Sequence, residues 1–114
     1  MSTAGQWNFT ADQGATLSKV ITYKTSAGTP IDLTGYSARM MLRDRVSSST
    51  VVLELTTGNG RITLGGVAGT VTLNVLATDM TFSGTYVYDL ELVSGSTVSR
   101  LVMGEIVVRP EVTR

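Results

Sequence analysis

Apolar and polar residues alternate with a period of two along most of the chain, and turns rich in Gly, Asn and Asp interrupt the alternation at short intervals. Successive side chains of a strand point to opposite faces, so this pattern predicts strands with one buried face. Strands are predicted over residues 6–10, 15–24, 36–43, 51–56, 61–64, 70–75, 85–93 and 98–108. The predicted inward sets are Leu17, Ile21 and Tyr23; Ala38, Met40 and Leu42; Val51, Leu53 and Leu55; Ile62 and Leu64; Val71, Leu73 and Val75; and Tyr86, Tyr88, Leu90 and Leu92. Arg39, Met41 and Arg43 fall on the opposite face of their strand, as do Asp89 and Glu91 of theirs.

The last strand breaks this rule. Leu101, Met103, Glu105 and Val107 share one parity, while Val102, Ile106 and Val108 take the other. A bulge near Gly104 would reconcile the two halves, and so would a strand covered on both faces by a neighbouring subunit. Gly58-Asn59-Gly60 is the strongest hairpin signal, because Gly and Asn tolerate the positive φ of tight turns. A single helical turn is predicted at 76–81, with Thr78 as its cap. No stretch holds a 3.6-residue period over three turns. Short strands joined by Gly-rich turns imply an all-β fold, an antiparallel β-sandwich of Ig-like or jelly-roll-like type with about eight strands and at most one short helical turn. The 114 residues make a single domain, 1–114, with residues 1–5 expected to be a flexible N-terminus. Trp7 is expected to plug one end of the sandwich.

Composition sharpens the picture. Thr, Val and Ile together supply 36 of 114 residues, and β-branched side chains favour strands over helices. There are 9 basic and 9 acidic residues, so no net field selects a polyanion, and a nucleic-acid partner is not expected. Arg39, Arg43 and Arg45 form the densest basic group, read as a solvated strand face beside Asp44. No apolar run approaches the roughly 20 residues that span a bilayer, so no membrane association is expected. The N-terminal residues lack the basic and apolar regions of a secretory signal, and the Asn8-Phe9-Thr10 sequon is accordingly read as chance.

The chain has no Cys and no His. That removes disulfides, Cys/His metal sites and His- or Cys-based nucleophilic catalysis. A Ser–Lys arrangement would need Lys19 or Lys24, which lie in ordinary alternating strands. Asp89 and Glu91 are two residues apart on one strand face, roughly 7 Å by strand rise. They form a carboxylate pair that could suit glycoside chemistry, though acidic residues at alternate positions usually mark a solvated face. Asp12, Asp32, Asp44 and Asp79 are read as turn-makers, since they are too widely spaced for a calcium loop. The glycines at 58, 60, 65 and 66 do not open a helix and so cannot cradle phosphate. The expectation is a protein that is not an enzyme, with no catalytic, cofactor-binding or metal residues.

Several segments resemble a known family. They are Gly28-Thr29-Pro30-Ile31-Asp32-Leu33-Thr34-Gly35-Tyr36-Ser37-Ala38-Arg39-Met40, then Asn59-Gly60-Arg61-Ile62-Thr63-Leu64 with Gly69-Thr70-Val71-Thr72-Leu73, then Gly84-Thr85-Tyr86-Val87-Tyr88-Asp89-Leu90-Glu91-Leu92, and Val108-Arg109-Pro110-Glu111-Val112-Thr113. Their order and spacing resemble a β-sandwich module of small tailed-bacteriophage structural proteins. That module occurs alone or as the N-terminal domain of baseplate upper proteins. The resemblance runs from about Gln13 to the C-terminus and brings no catalytic residue with it. It implies a virion structural protein, a tail, neck or baseplate component or adaptor, made in the host bacterial cytoplasm and located in the virion. Its implied partners are other virion proteins and copies of itself, with sheet edges and faces as contact surfaces. In these segments Pro30 is expected to start an edge strand, Gly35 to take a positive φ, and Tyr36 to anchor the next strand through its hydroxyl. A carbohydrate- or surface-binding module with a platform of Trp7 and tyrosines is the alternative.

Overall fold

The computed structural model describes residues 5–113, which form nine strands in two packed sheets. In chain order these are β1 (Gly5–Gln6), β2 (Phe9–Asp12), β3 (Leu17–Thr22), β4 (Ser37–Arg43), β5 (Leu53–Thr56), β6 (Ile62–Leu64), β7 (Thr70–Val75), β8 (Gly84–Ser94) and β9 (Thr97–Arg109). A six-stranded sheet runs β1–β9–β8–β4–β5, with β2 also on β9. A three-stranded sheet runs β3–β7–β6. The all-β sandwich read from the alternation is the fold observed. Among the described residues there is no α-helix, only 3-10 turns at Gly66–Ala68 and Ala77–Asp79. Leu76, in extended geometry, caps the second turn without a side-chain bond, and Thr78 lies inside it.

The core lies between the sheets. Ala38, Met40 and Leu42 of β4, Leu53 and Leu55 of β5, and Tyr88, Leu90 and Leu92 of β8 are buried from one side. Leu17, Ile62, Val71, Leu73 and Val75 meet them from the other. Each such side chain contributes roughly 1.5–3 kcal/mol by leaving water. Leu33 and Met80, both outside strands, are 1% exposed and close the gaps between the sheets. Among the described residues no polar or charged side chain is buried.

The structure departs from the sequence reading at several places. Val51, expected inside, is 37% exposed and precedes β5. Gly58-Asn59-Gly60 carries the chain from the large sheet to the small one rather than closing a hairpin, since β5 pairs with β4 and β6 with β7. Asn59 organises the crossing. Its Oδ1 accepts from the Thr56 and Arg61 amides, and its Nδ2 donates to the Glu54 carbonyl. The two-residue turn Gly95-Ser96 closes the long β8–β9 hairpin. The irregularity in β9 is at Leu101, which has no partner between the pairs Leu90–Val102 and Glu91–Arg100. One extra residue there turns both Leu101 and Val102 inward, which explains the broken parity.

The N-terminal segment forms two strands, parallel to β9, while the other pairings are antiparallel. Of the stretch expected to be flexible, residues 1–4 lie outside the described residues, and Gly5 pairs with Val102. Between β1 and β2 the Asn8 side chain substitutes for backbone pairing, accepting from the Glu105 amide at 2.9 Å. Gly104 faces this segment. A Cβ there would collide with the Trp7 carbonyl and lie 2.6 Å from Asn8 Oδ1.

Gly69 is the other glycine that the packing demands. Its φ is +68°, and a Cβ would lie 2.7–3.0 Å from backbone atoms of Tyr23 and Ile31. Pro30 sits in an isolated antiparallel bridge with Lys24. Gly35 takes the expected positive φ, +84°. The Tyr86 hydroxyl donates to the Ser83 carbonyl and the Tyr88 hydroxyl to the Trp7 carbonyl, whereas the bond expected from Tyr36 is not formed among the described residues.

Candidate functional site

Strand register assembles a large concavity lined by charged side chains. On the outer face of the six-stranded sheet, β4, β8 and β9 align in rows. Arg39, Glu91 and Arg100 form one, Met41, Asp89 and Met103 the next, and Arg43, Val87 and Glu105 the third. The connection 44–52 reaches this face with Val46, and Gln6 and Asn8 border it on the other side. Together they line a groove of about 680 Å³.

Two of the arginines in the groove pair with two of its carboxylates. Arg39 Nε lies 2.7 Å from Glu91 Oε1, and Arg100 Nε lies 3.2 Å from Asp89 Oδ2. Arg43 donates to the Ser48 carbonyl at 2.9 Å and to Met41 Sδ at 3.5 Å, which holds the 44–52 connection against the sheet. The carboxylate pair predicted from spacing is therefore on one face as expected, with each member engaged by an arginine. These pairs are exposed and worth a fraction of a kcal/mol to about 1 kcal/mol each. The floor between them is apolar and soft, formed by Met41, Val87 and Met103. Thioether side chains adapt to varied surfaces. The groove offers guanidinium donors, carboxylate acceptors and a pliable centre.

Arg45, the third member of the basic group, pairs with Asp44 at 3.5 Å, away from Arg39 and Arg43's partners. Asp12 receives Arg109 in a two-point contact at 2.7 and 3.1 Å, which holds its carboxyl below the usual range. Asp32 is also lowered, by bonds from the Thr34 hydroxyl and amide. Asp79 pairs with Arg61 at 3.1 Å beside a smaller cleft of about 380 Å³. The four turn-region aspartates thus stay apart, and among the described residues no three potential metal ligands cluster.

Trp7 is half-buried and stacks on Phe9 with ring centroids 4.4 Å apart. Tyr88 is buried, and burial pushes its phenol up to about 12. Tyr86 packs edge-on against Phe82 and is raised by burial and then by Asp44. Trp7, Tyr86 and Tyr88 thus each make ring contacts with neighbouring aromatics. Among the described residues no helix is long and apolar enough to cross a membrane.

No family model matches the chain, and no curated protein matches it.

Proposed function

We propose that this protein is a bacteriophage virion structural protein, a tail, neck or baseplate component or adaptor, which works by contact with other virion proteins and with copies of itself. The observation that carries the reading is the outer groove of the large sheet. Its Glu91 and Asp89 carboxylates are already paired with Arg39 and Arg100, and its floor of Met41, Val87 and Met103 is apolar. Such a surface suits protein contact better than acid–base chemistry. The resemblance of the 28–40, 59–73, 84–92 and 108–113 segments to a tailed-phage sandwich module supplies the biological setting.

Mass spectrometry of purified particles from the source phage or induced prophage tests the reading. The protein is expected in the particles at a fixed stoichiometry. The variant Met103→Glu, at a residue 45% exposed, is expected to stay folded and to be incorporated less. Absence of the wild-type protein from intact particles would overturn the proposal.

A further inference from the structure

The sheet edges of this sandwich are not equally protected. At β5 the Glu54 carbonyl accepts from Asn59 Nδ2 at 3.0 Å and Arg61 Nη1 at 2.8 Å, and the Thr56 amide donates to Asn59 Oδ1 at 3.0 Å. Side chains thus occupy the backbone groups that another strand would need. At the opposite edge, β1 and β2 are two and four residues long and break at Trp7-Asn8. In the small sheet β6 has only three residues. Short, interrupted or side-chain-capped strands are ordinary ways to blunt an edge.

β3 has none of these devices. It is six residues long, contains no proline, and among the described residues pairs with β7 alone. The phase of its hydrogen bonds follows from its neighbours. The Tyr23 amide donates to the Gly69 carbonyl at 2.8 Å, and the Asn74 amide donates to the Arg61 carbonyl at 2.8 Å. Odd-numbered residues of β3 therefore bond to β7, while even-numbered residues of β7 bond towards β6. The backbone groups of Ser18, Val20 and Thr22 point to the open side. Their side chains lie on the outer face, and Val20 is 60% exposed. The one charge in β3, Lys19, has the inward parity, with its ammonium 5.7 Å from the Phe9 ring centre. The outer face of the strand is uncharged.

We infer that β3 is a self-pairing edge, at which a second copy of this chain adds its own β3 antiparallel about a twofold axis through Val20, making one continuous six-stranded sheet. Backbone bonding requires even-numbered residues of one copy to face even-numbered residues of the other. Centring on Lys19 sets the two lysines directly opposite each other, which repels. Centring on Ile21 leaves Ser18 facing Lys24, beyond the end of β3. Centring on Val20 pairs Ser18 with Thr22 of the second copy and Val20 with its own equivalent. All three open residues are then used, and each Lys19 faces an isoleucine. A self-complementary patch of this kind is what a twofold interface needs. The inference rests on the self-assembly part of the proposed function, independently of the particle in which it occurs.

Light scattering across a concentration series tests this pairing with the full chain. The wild type is expected to dimerise. Val20→Lys, at an exposed position, is expected to keep the β circular-dichroism signature and to dimerise several-fold more weakly, because the introduced ammoniums face each other. Val20→Pro removes two intersubunit amides and is expected to weaken the dimer by about tenfold or more. The chain has no other thiol, so Val20→Cys should yield a disulfide-linked dimer on mild oxidation, since paired Cα atoms about 5.5 Å apart lie within disulfide reach. Val98→Cys, at a residue 48% exposed in β9 of the other sheet, should link far less. A wild type that stays monomeric at high concentration, a dimer indifferent to V20K, or equal linking of both cysteine variants would each overturn the inference. A monomer that is nonetheless present in particles would overturn this pairing and leave the proposed function standing. A V20K-sensitive dimer absent from particles would do the reverse.

Discussion

The Tyr88 hydroxyl donates a hydrogen bond to the Trp7 carbonyl at 2.6 Å, reaching from β8 past the intervening strand β9. The reach is possible because the residue of β9 directly opposite Tyr88 is Gly104. With no side chain there, the ring covers the glycine and the phenol meets the N-terminal segment. One residue without a side chain thus lets one phenol tie β8 to the segment that joins β1 and β2. Replacing Tyr88 with Phe should cost about 1–2 kcal/mol in denaturant unfolding, the range for a buried hydrogen bond whose acceptor is left unpaired. Faster amide exchange in β1 and β2 than in β4 would accompany it.

Gly104→Ala attacks the same junction from the other side. Its Cβ would collide with the Trp7 carbonyl backbone, so β1 and β2 must shift away from β9. The expected loss is on the order of 1–3 kcal/mol. Limited proteolysis should then cut within 5–12 before the rest of the domain. Unchanged stability and an intact N-terminal segment would contradict this account of the glycine.

Tyr88 also predicts the alkaline limb of stability. Burial raises its pKa from the ordinary 10.0 to about 12 in the folded protein. The protonated phenol is favoured by folding, so its stabilisation is complete below pH 10 and is lost as pH rises towards 12. Unfolding free energy measured from pH 8 to 12 should fall more steeply for the wild type than for Tyr88→Phe. Parallel curves would contradict the assignment.

The acid limb has the opposite sign. The Arg109 side-chain bond holds Asp12 below the ordinary value of 3.8. The contribution is present above that value and is lost as pH falls through the lower folded one. Asp12→Asn should flatten the acid end of the stability curve and change little at neutral pH, because the pair is exposed. Arg109→Gln should have the same effect.

Asn59 gives a test of the sheet-to-sheet crossing. Asn59→Ala removes the amide that binds the Thr56 and Arg61 N–H groups and the Glu54 carbonyl. A loss of about 1–3 kcal/mol is expected, since solvent can replace part of these bonds. The variant also uncovers the β5 edge, so faster aggregation at high concentration should accompany it.

Leu17, Leu55, Ile62, Val71, Leu73, Leu90 and Leu92 could be placed in the core from alternation alone, because a period of two assigns each side chain a face wherever one face is dry. The same rule put Arg39, Met41, Arg43, Asp89 and Glu91 outside. Alternation is local, however, and carries nothing about which strands are neighbours. It could not tell that the Asn59 turn changes sheets, or that the extra residue in β9 is Leu101. Nor could it show Gly5–Asp12 lying parallel along the last strand, since that pairing joins residues about a hundred positions apart. Leu33 and Met80 were invisible for a related reason, as their burial comes from gaps between elements rather than from a strand face.

The sequence by itself determined the sandwich class, the inward set of most strands, and a surface without His, Cys or net charge. Those properties follow from periodicity and composition, which need no knowledge of distant contacts. Only the tertiary structure decided that Arg39 pairs with Glu91, that Arg100 pairs with Asp89, and that among the described residues β3 is the edge left open. Register and strand order are set by the packing of the whole core, and they alone bring such residues within reach of one another.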